Sequence, residues 1–385
     1  MKRTRISNRR AVIRQGAEEY LLITLLAFAA TVAGTRLFLE LTGYPQIGGG
    51  ELHIAHVLWG GLFLFAAALA LLVYANRWVY RVGALLAGIG VGLFIDEIGK
   101  FITSSNDYFY PSAAPIIYAF FLLTVLIFLI FRRPPKITSR EALYYIFQDL
   151  EEVLDRDLSA DERDKALQEL AKVRKANPPE ELARLATELE EYLQTAPISP
   201  TPDRPDFLNR LLKRYQHFED KWFIRPRFRA ILAGGFTALG LWALYFPISV
   251  LLTIRTPLQL QELLSALVTD RLVRNPSGLN WFEWRVGLEG AVGLAFIITA
   301  VLLALGKDNR GVPLALAGLM VNLTVVNLLV FFFDQFSTIA IASVQFILLI
   351  GVLRYRSIYM NHNLPNVTRD NSPILEDRPA ERKTE

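Results

Sequence analysis

Eight long apolar runs give the chain its pattern, and each is close to the length of a membrane-crossing helix. A helix of about 20 apolar residues spans a hydrocarbon core of about 30 Å. Because open backbone cannot lie in lipid, the pattern predicts an all-α polytopic membrane bundle of eight transmembrane helices in two four-helix halves. The runs cover residues 18–41, 53–75, 82–104, 112–131, 229–254, 286–305, 311–333 and 337–354.

A charged segment, residues 133–228, separates the two halves and carries helix signals of its own. Thr138 with Glu141, and Ser159 with Glu162, match the capping-box pattern, in which the two side chains satisfy free amides at a helix start. We therefore predict a small helical insert, interpreted first as a solvated spacer and alternatively as a docking domain for a cytoplasmic protein partner. Its predicted helices cover 140–156, 160–175, 179–194 and 206–221, with a Pro-rich linker at 197–205.

Basic residues indicate the orientation, because Lys and Arg accumulate on cytoplasmic loops. They occur before the first run, after the second and fourth, before the fifth, between the sixth and seventh, and after the eighth. The loops 41–52 and 104–111 contain neither residue, and the long loop 255–285 is the exception. This distribution predicts that both termini and the insert are cytoplasmic. The predicted parts are a basic arm (1–17), a first half (18–132), the insert (133–228), a second half (229–356) and a disordered tail (357–385).

Composition excludes several kinds of chemistry. The chain has no cysteine, which rules out disulfides, thiolate metal sites, iron–sulfur clusters and thiol catalysis. Its formal net charge of +4 is small, and we predict no binding of nucleic acid. The sequence predicts the lipid bilayer as a partner. It does not indicate the oligomeric state.

Ionisable residues near the predicted outer ends of several apolar runs form the candidate functional site. A charge in hydrocarbon is costly, so such residues face a bundle interior, a partner or a water-filled cavity. Their common depth predicts an outward-facing polar pocket. The residues are Arg36, Glu40, Glu51, His53, His56, Asp96, Glu97, Lys100 and Asp107, with Glu283, Arg285, Glu289 and Asp334 at comparable depth in the second half.

One interpretation of these residues is purely structural. Arg36 and Glu40 are four residues apart, as are Asp96 and Lys100, and residues at this spacing share a helix face. Each pair would neutralise its own charges and fix the position of its helix. This interpretation leaves the two neighbouring histidines unexplained.

A second interpretation is a metal-dependent enzyme that acts on a lipid or lipid-linked group at the outer leaflet. His53, His56 and Glu97 would supply the ligand set of a catalytic zinc with one open position. A metal-bound water would be the nucleophile, with a spare carboxylate as general base. The candidate catalytic residues are Asp96, Glu97, Lys100 and Asp107, and the residues supporting them are Arg36, Glu40 and Glu51.

A third interpretation is a sensor or transporter for an ion or small solute. The carboxylates and histidines would bind and release a proton or an ion, and the insert would respond. The inner halves of the same helices are nearly all apolar, which weighs against a permeation path but not against a sensor. The sequence leaves the choice between enzyme, transporter and sensor open.

Two motifs carry a resemblance. Residues 53–61 read His-Ile-Ala-His-Val-Leu-Trp-Gly-Gly, and residues 92–103 read Gly-Leu-Phe-Ile-Asp-Glu-Ile-Gly-Lys-Phe-Ile-Thr, followed by Asn-Asp-Tyr-Phe-Tyr-Pro at 106–111. With these motifs the chain resembles an uncharacterised family of bacterial multi-pass membrane proteins, chiefly before residue 135. The resemblance implies a bacterial membrane location and implies no activity. We predict that this membrane is the cytoplasmic (inner) membrane.

Overall fold

Every element of the described structure, a computed structural model, is helical. Among the described residues, eight helical segments are long and apolar enough to cross a membrane, which confirms the predicted all-α bundle. The chain is therefore an integral membrane protein. The structure describes residues 11–43, 55–105, 107–108, 110–132, 138–154, 158–176, 178–195, 224–253 and 276–360.

The first half is built around its third helix. Glycines on that helix let both neighbours approach its backbone, as small residues do in membrane bundles. A Cβ atom on Gly90 would lie 2.8 Å from the carbonyl oxygen of Gly60 in the second helix, and one on Gly88 would lie 2.5 Å from that of Thr24 in the first. The helices are α1 (Ala17–Thr42), α2 (His56–Val73), α3 (Arg77–Asp96), the short α4 (Ile98–Ile102) and α5 (Ala113–Phe131).

Contacts along α1 and α3 show that these two helices run in the same direction. Glu19, near the start of α1, pairs with Arg81, near the start of α3, at 2.9 Å. Arg36, near the end of α1, pairs with Asp96, the last residue of α3. The bundle therefore has an insert end, at which α1 and α3 begin, and a far end, at which Asp96 lies.

The second half packs around buried phenylalanines. Phe236 and Phe296 lie against each other, with ring centroids 5.5 Å apart, in the largest apolar core of the described residues. Its helices are α9 (Arg225–Thr253), α10 (Pro276–Ala304), α11 (Asp308–Val321), a π-helical turn (Asn322–Val326), α12 (Asn327–Asp334), a 3₁₀ turn (Gln335–Thr338) and α13 (Ile339–Tyr359). The segment from α11 to α12 forms one membrane span.

Tyr118 of α5 joins the two halves at the π-helical turn. The backbone N–H of Asn327 donates to the oxygen of Asn322, five residues back, so Leu323 loses its α-helical donor. The Tyr118 hydroxyl replaces that donor, at 2.7 Å from the Leu323 oxygen. The Tyr118 ring also stacks on Phe331 at 4.6 Å, which places the end of α12 at the far end of the bundle.

The insert contains a small three-helix bundle within its described part. Leu143, Ile146, Leu170 and Leu193 are buried in its core. The predicted capping box at Ser159 is present. The helices are α6 (Ser139–Leu154), α7 (Ala160–Lys175) and α8 (Glu180–Thr195), close to the first three predicted; the fourth, 206–221, and the linker 197–205 lie outside the described residues.

The insert contacts the first membrane half through α6. Asp149 lies 3.6 Å from the guanidinium of Arg77, the first residue of α3. The backbone N–H of Gln15, just before α1, donates to Oε1 of Gln148 at 3.2 Å. One helix of the insert therefore touches the starts of both α1 and α3.

Three spans differ in detail from their prediction. The predicted third span, 82–104, ends as a continuous helix at Asp96 and resumes as α4, where a Cβ on Gly99 would lie 2.7 Å from the backbone oxygen of Asp107. The sixth span, predicted from 286, starts earlier: its helix begins at Pro276 and its membrane segment at Asn280, so the span includes the buried, paired Arg285. The seventh span contains the π-helical turn.

Docking of the insert is expected to weaken as the pH rises from about 4 to 6. Burial of Asp149 raises its pKa from 3.8 to about 6, an effect that Arg77 opposes. A docked insert therefore binds more protons than a detached one in this interval, and ionisation of Asp149 opposes docking by at most about 3 kcal/mol. Asp149→Asn should slow hydrogen exchange of α6 relative to the unsubstituted chain at pH 7, with no difference near pH 4. Faster exchange of the variant at pH 7 would show that the contact with Arg77 outweighs burial.

Candidate functional site

Arg36 and Asp96 form the centre of a polar cluster at the far end of the first half. Both side chains are buried, at 6% and 0% exposure. The guanidinium Nε donates to Oδ1 of Asp96 at 2.5 Å, and Nη2 donates to the Asp96 backbone oxygen at 2.9 Å. The second bond satisfies a carbonyl at the end of α3, where helical donors run out. Arg36 thus ties α1 to the end of α3.

The second oxygen of Asp96 is held by two other side chains. The Tyr108 hydroxyl donates to Oδ2 at 2.7 Å, and Nε2 of His56 lies 3.1 Å from the same atom. Burial and the nearby Asp96 carboxylate raise the pKa of Tyr108, so its hydroxyl keeps the proton that it donates. The Tyr108 ring also lies under the guanidinium of Arg36, 4.2 Å from centroid to Cζ.

Glu97 has a separate set of partners on the same side of the bundle. Its Oε2 accepts the backbone N–H of Val57 at 3.0 Å, and its Oε1 pairs with Lys100. The N–H of Val57 belongs to the first turn of α2, where amides have no helical acceptor and favour a negative charge. Glu97 therefore fixes the start of α2, as Asp96 fixes the end of α1.

His56 lies between the two carboxylates. Its Nε2 faces Asp96 at 3.1 Å and its Nδ1 is 4.0 Å from Glu97 Oε1. The side chains of His56 and Lys100 are 23% and 26% exposed, whereas both carboxylates are buried. A solute or ion would therefore reach the cluster past these two side chains.

Two anions and two cations balance within this cluster. Asp96 and Glu97 face Arg36 and Lys100, so the formal charge is zero while His56 is neutral. An unpaired charge in a membrane interior is costly, and paired carboxylates with further hydrogen bonds avoid that penalty. The arrangement is stable only as a unit, since removal of one member leaves another charge buried without its partner.

The structure brings some of the predicted site residues together and leaves others apart. Arg36, His56, Asp96, Glu97 and Lys100 meet, but the pairs differ from those that the four-residue spacing predicted: Arg36 bonds Asp96 on another helix, and Lys100 bonds Glu97. The side chain of Glu40 is exposed. Asp107 lies in the turn after α4, where its backbone N–H donates to Thr103 Oγ1. Glu51 and His53 lie outside the described residues.

Tyr108 was not predicted as a site residue, although it contacts the centre of the cluster. The sequence suggested only an aromatic side chain near the membrane surface, which is common. Its proximity to Asp107 in a polar turn after α4 was the one available signal. The tyrosine reaches Asp96 because the chain breaks at Glu97 and turns back after α4.

The described residues contain no group of three His, Cys, Asp or Glu side chains arranged to hold a metal ion. His56 and Glu97 are the described members of the predicted zinc site, and the oxygens of Glu97 are occupied by Lys100 and the Val57 amide. The third predicted ligand, His53, lies outside the described residues. Zinc binding at this place stays a prediction.

A second polar cluster lies at the far end of the second half. The guanidinium of Arg285 binds both carboxylate oxygens of Asp334, one of them at 2.9 Å, and lies 3.5 Å from Glu289. Its Cζ is 4.2 Å from the ring centroid of Phe246. This cluster also pairs a buried arginine with an aspartate, but the Asp334 side chain is 39% exposed, and the described residues of the cluster include no histidine.

Comparison with known proteins assigns no function to these polar clusters. No protein-family model, curated protein or solved structure matches the chain. The resemblance of residues 53–61 and 92–103 to a bacterial membrane family therefore stays a prediction.

Proposed function

We propose that the chain is a membrane sensor in which the state of the far-end cluster controls the position of the insert. The supporting observation is that one pair of helices, α1 and α3, contacts both places. Arg36 and Asp96 join these helices at the far end, and Gln15 and Arg77 hold α6 at the insert end. A change at the cluster can therefore reach the insert through two rigid helices.

The packing between α1 and α3 suits transmission of a displacement. Backbone contact at Gly88, and the contact of Gly92 with Thr31, leave no compliant layer between the helices. Thr24 also donates to the backbone oxygen of Ala84 at 3.1 Å. Close-packed elements shift as units instead of deforming gradually. A shift or rotation of α1 against α3 at the Arg36–Asp96 pair would thus reappear at α6.

The proposed orientation places the insert in the cytoplasm of a bacterial cell and the far end outside it. The distribution of basic residues supports this orientation, because Lys and Arg residues of several spans lie at the insert end. These residues are Arg14, Arg77, Arg81, Arg225, Lys307, Arg310 and Arg356. Cytoplasmic ends of membrane helices carry an excess of Lys and Arg. The far-end cluster would then sample the outer medium past His56 and Lys100.

The proposed ligand of the cluster is an ion or a small polar solute. A divalent metal such as zinc is the specific candidate, with His53, His56 and Glu97 as ligands. His56 is partly exposed, and its Nδ1 lies 4.0 Å from Oε1 of the buried Glu97. Binding would have to draw Glu97 away from Lys100. The alternative function, an enzyme that acts on a lipid or lipid-linked group, would require the same metal.

Hydrogen exchange of the full chain in lipid nanodiscs tests the coupling. Asp96→Asn keeps the side-chain shape and removes the charge that holds Arg36. We expect amides of α6 to exchange at least about threefold faster in this variant, because looser joining of α1 and α3 frees their starts. Asp334→Asn is the control, since it removes the arginine-bound carboxylate at the far end of the half that does not hold α6.

Three results would contradict the proposed sensor function or exclude zinc as its ligand. Unchanged α6 exchange in Asp96→Asn, with altered exchange at the far end, would contradict coupling. Equal acceleration by Asp334→Asn would show general loosening of the bundle. Zinc added at micromolar concentration should change α6 exchange in the unsubstituted chain and not in His56→Ala; no response in either would remove zinc as the ligand and leave the coupling result standing.

A further inference from the structure

A polar cavity of about 500 Å³ lies at the insert end of the second half, remote from the far-end cluster. It is formed by the start of α9 and by the turn that connects α10 to α11. Its lining is charged, unlike the apolar crevices deeper in the bundle. The lining residues are Arg225, Gly306, Lys307, Asp308, Asn309 and Arg310.

The turn beside the cavity has a defined conformation. Gly306 adopts a left-handed backbone with φ of 74°, which glycine tolerates best. A Cβ atom there would lie 2.9 Å from the guanidinium of Arg229, so this side chain lies directly against the turn. The N–H of Lys307 donates to the oxygen of Leu302 at 2.9 Å. The turn thus holds Lys307 and Arg310 beside Arg225 and Arg229 of α9.

Positive charge dominates the cavity. Arg225, Lys307 and Arg310 contribute three positive charges against the one negative charge of Asp308, and Arg229 adds a fourth cation at the rim. Within the described residues, neither Lys307 nor Arg310 has a carboxylate oxygen within 4 Å, whereas Arg225 is 3.0 Å from Asp308. An anion is therefore the ligand that the charges favour.

The environment of Asp308 indicates a second chemical group that the ligand must contain. The residue is only 4% exposed, and its Oδ2 accepts from Arg225 at 3.0 Å and from the Tyr355 hydroxyl at 2.7 Å. Its Oδ1 is buried and accepts no hydrogen bond from any residue that the structure describes. A buried carboxylate oxygen without a hydrogen-bond donor destabilises the folded structure. A hydroxyl group on the ligand would satisfy it.

Among anions, the position of the cavity favours a phosphate ester as the ligand. It lies where α9 and α11 begin and α13 ends, at the level of the lipid headgroups for helices that cross a bilayer. Arginine and lysine side chains bind phosphate oxygens through charge-assisted hydrogen bonds. Basic pockets between membrane helices on the cytoplasmic side bind anionic headgroups in this way.

We propose that this cavity binds a phosphodiester that carries free hydroxyl groups, as the headgroup of an anionic phospholipid does. Lys307 and Arg310 bind the phosphate oxygens together with Arg225, and a headgroup hydroxyl donates to Oδ1 of Asp308. A soluble glycerol phosphate shares this chemistry, and the source is decided by experiment. The proposal is independent of the sensor, because it uses no residue of the far-end cluster.

Native mass spectrometry of the full chain in detergent tests the proposal with four added probes: phosphatidylglycerol, phosphatidic acid, phosphatidylcholine and glycerol 3-phosphate. We expect phosphatidylglycerol to bind best, because it alone combines a membrane anchor, a phosphodiester charge and hydroxyls. Lys307→Ala with Arg310→Ala should weaken its binding by about tenfold or more. Both side chains are exposed, so the variant should fold. Asp308→Asn should remove the preference over phosphatidic acid.

Arg354→Ala with Arg356→Ala is the matched control, because it removes the same charge from exposed positions at the same end, outside the cavity. We expect less than about a twofold change in this variant. Equal losses in the two double variants, or equal binding of phosphatidylglycerol and phosphatidylcholine, would overturn the proposal. Glycerol phosphate that binds as tightly as the lipid would support the phosphate-ester site and identify the soluble ester as its ligand.

Discussion

Asp96→Ala is expected to lower the free energy of unfolding of the membrane bundle by about 3–5 kcal/mol, which is the usual effect of breaking a buried ion pair. Arg36 is 6% exposed and would keep its charge without the carboxylate that it binds at 2.5 Å. Tyr108 and His56 would lose their acceptor as well. Thermal unfolding in detergent, followed by far-UV circular dichroism, measures the loss. Glu40→Ala, which removes an exposed carboxylate from α1, one turn after Arg36, should change the midpoint little.

Replacing both partners separates a structural pair from a functional one. Arg36→Met with Asp96→Leu removes both charges together, and such replacements are often neutral or stabilising. We expect the double variant to recover most of the stability lost in Asp96→Ala and still to show accelerated exchange of α6. Full recovery of both properties would mean that the pair only holds the helices together. A double variant as unstable as the single one would contradict the ion pair as the source of the loss.

The spans could be predicted because membrane burial depends on local composition. An apolar run of about 20 residues has few alternatives to a helix in lipid, whatever surrounds it. The bounds therefore agree closely for α5, whose run contains no charged residue. They also agree for α1, whose helix continues through Arg36 because this side chain is buried and paired with Asp96. They agree less where polar residues interrupt the pattern, as at Glu97, because a tertiary contact then decides whether the helix continues.

The partners in the site could not be predicted in the same way. Spacing along one helix suggested that Arg36 would pair with Glu40, but pairing depends on how α1 is rotated against α3. Glycines at positions 88 and 92 set that rotation through contacts with Thr24 and Thr31. The sequence alone shows where these glycines are, but it does not indicate which neighbouring helix each one contacts. The collection of charged residues at one depth was predictable, and their bonds were not.

Gly60→Ala is expected to destabilise the α2–α3 hairpin by about 1–3 kcal/mol, as insertion of a methyl group into a close-packed contact does. A Cβ atom at this position would lie 2.8 Å from the backbone nitrogen of Phe94 and 2.9 Å from the oxygen of Gly90. Backbone atoms cannot rotate away as side chains can, so the two helices must separate. The midpoint of thermal unfolding in detergent measures the change.

Gly61→Ala provides the matched control for this prediction, because a Cβ atom there would meet nothing within 4 Å. Both substitutions raise helix propensity by about 1 kcal/mol, so the difference between them isolates the contact with α3. His56 lies one turn before Gly60, and Asp96 follows Phe94 on α3. Separation of the helices should therefore draw His56 away from Asp96, and exchange at the start of α2 should accelerate only in Gly60→Ala. Equal midpoints for the two variants would show that the hairpin adjusts without strain, and the glycine contact would then not be what positions His56.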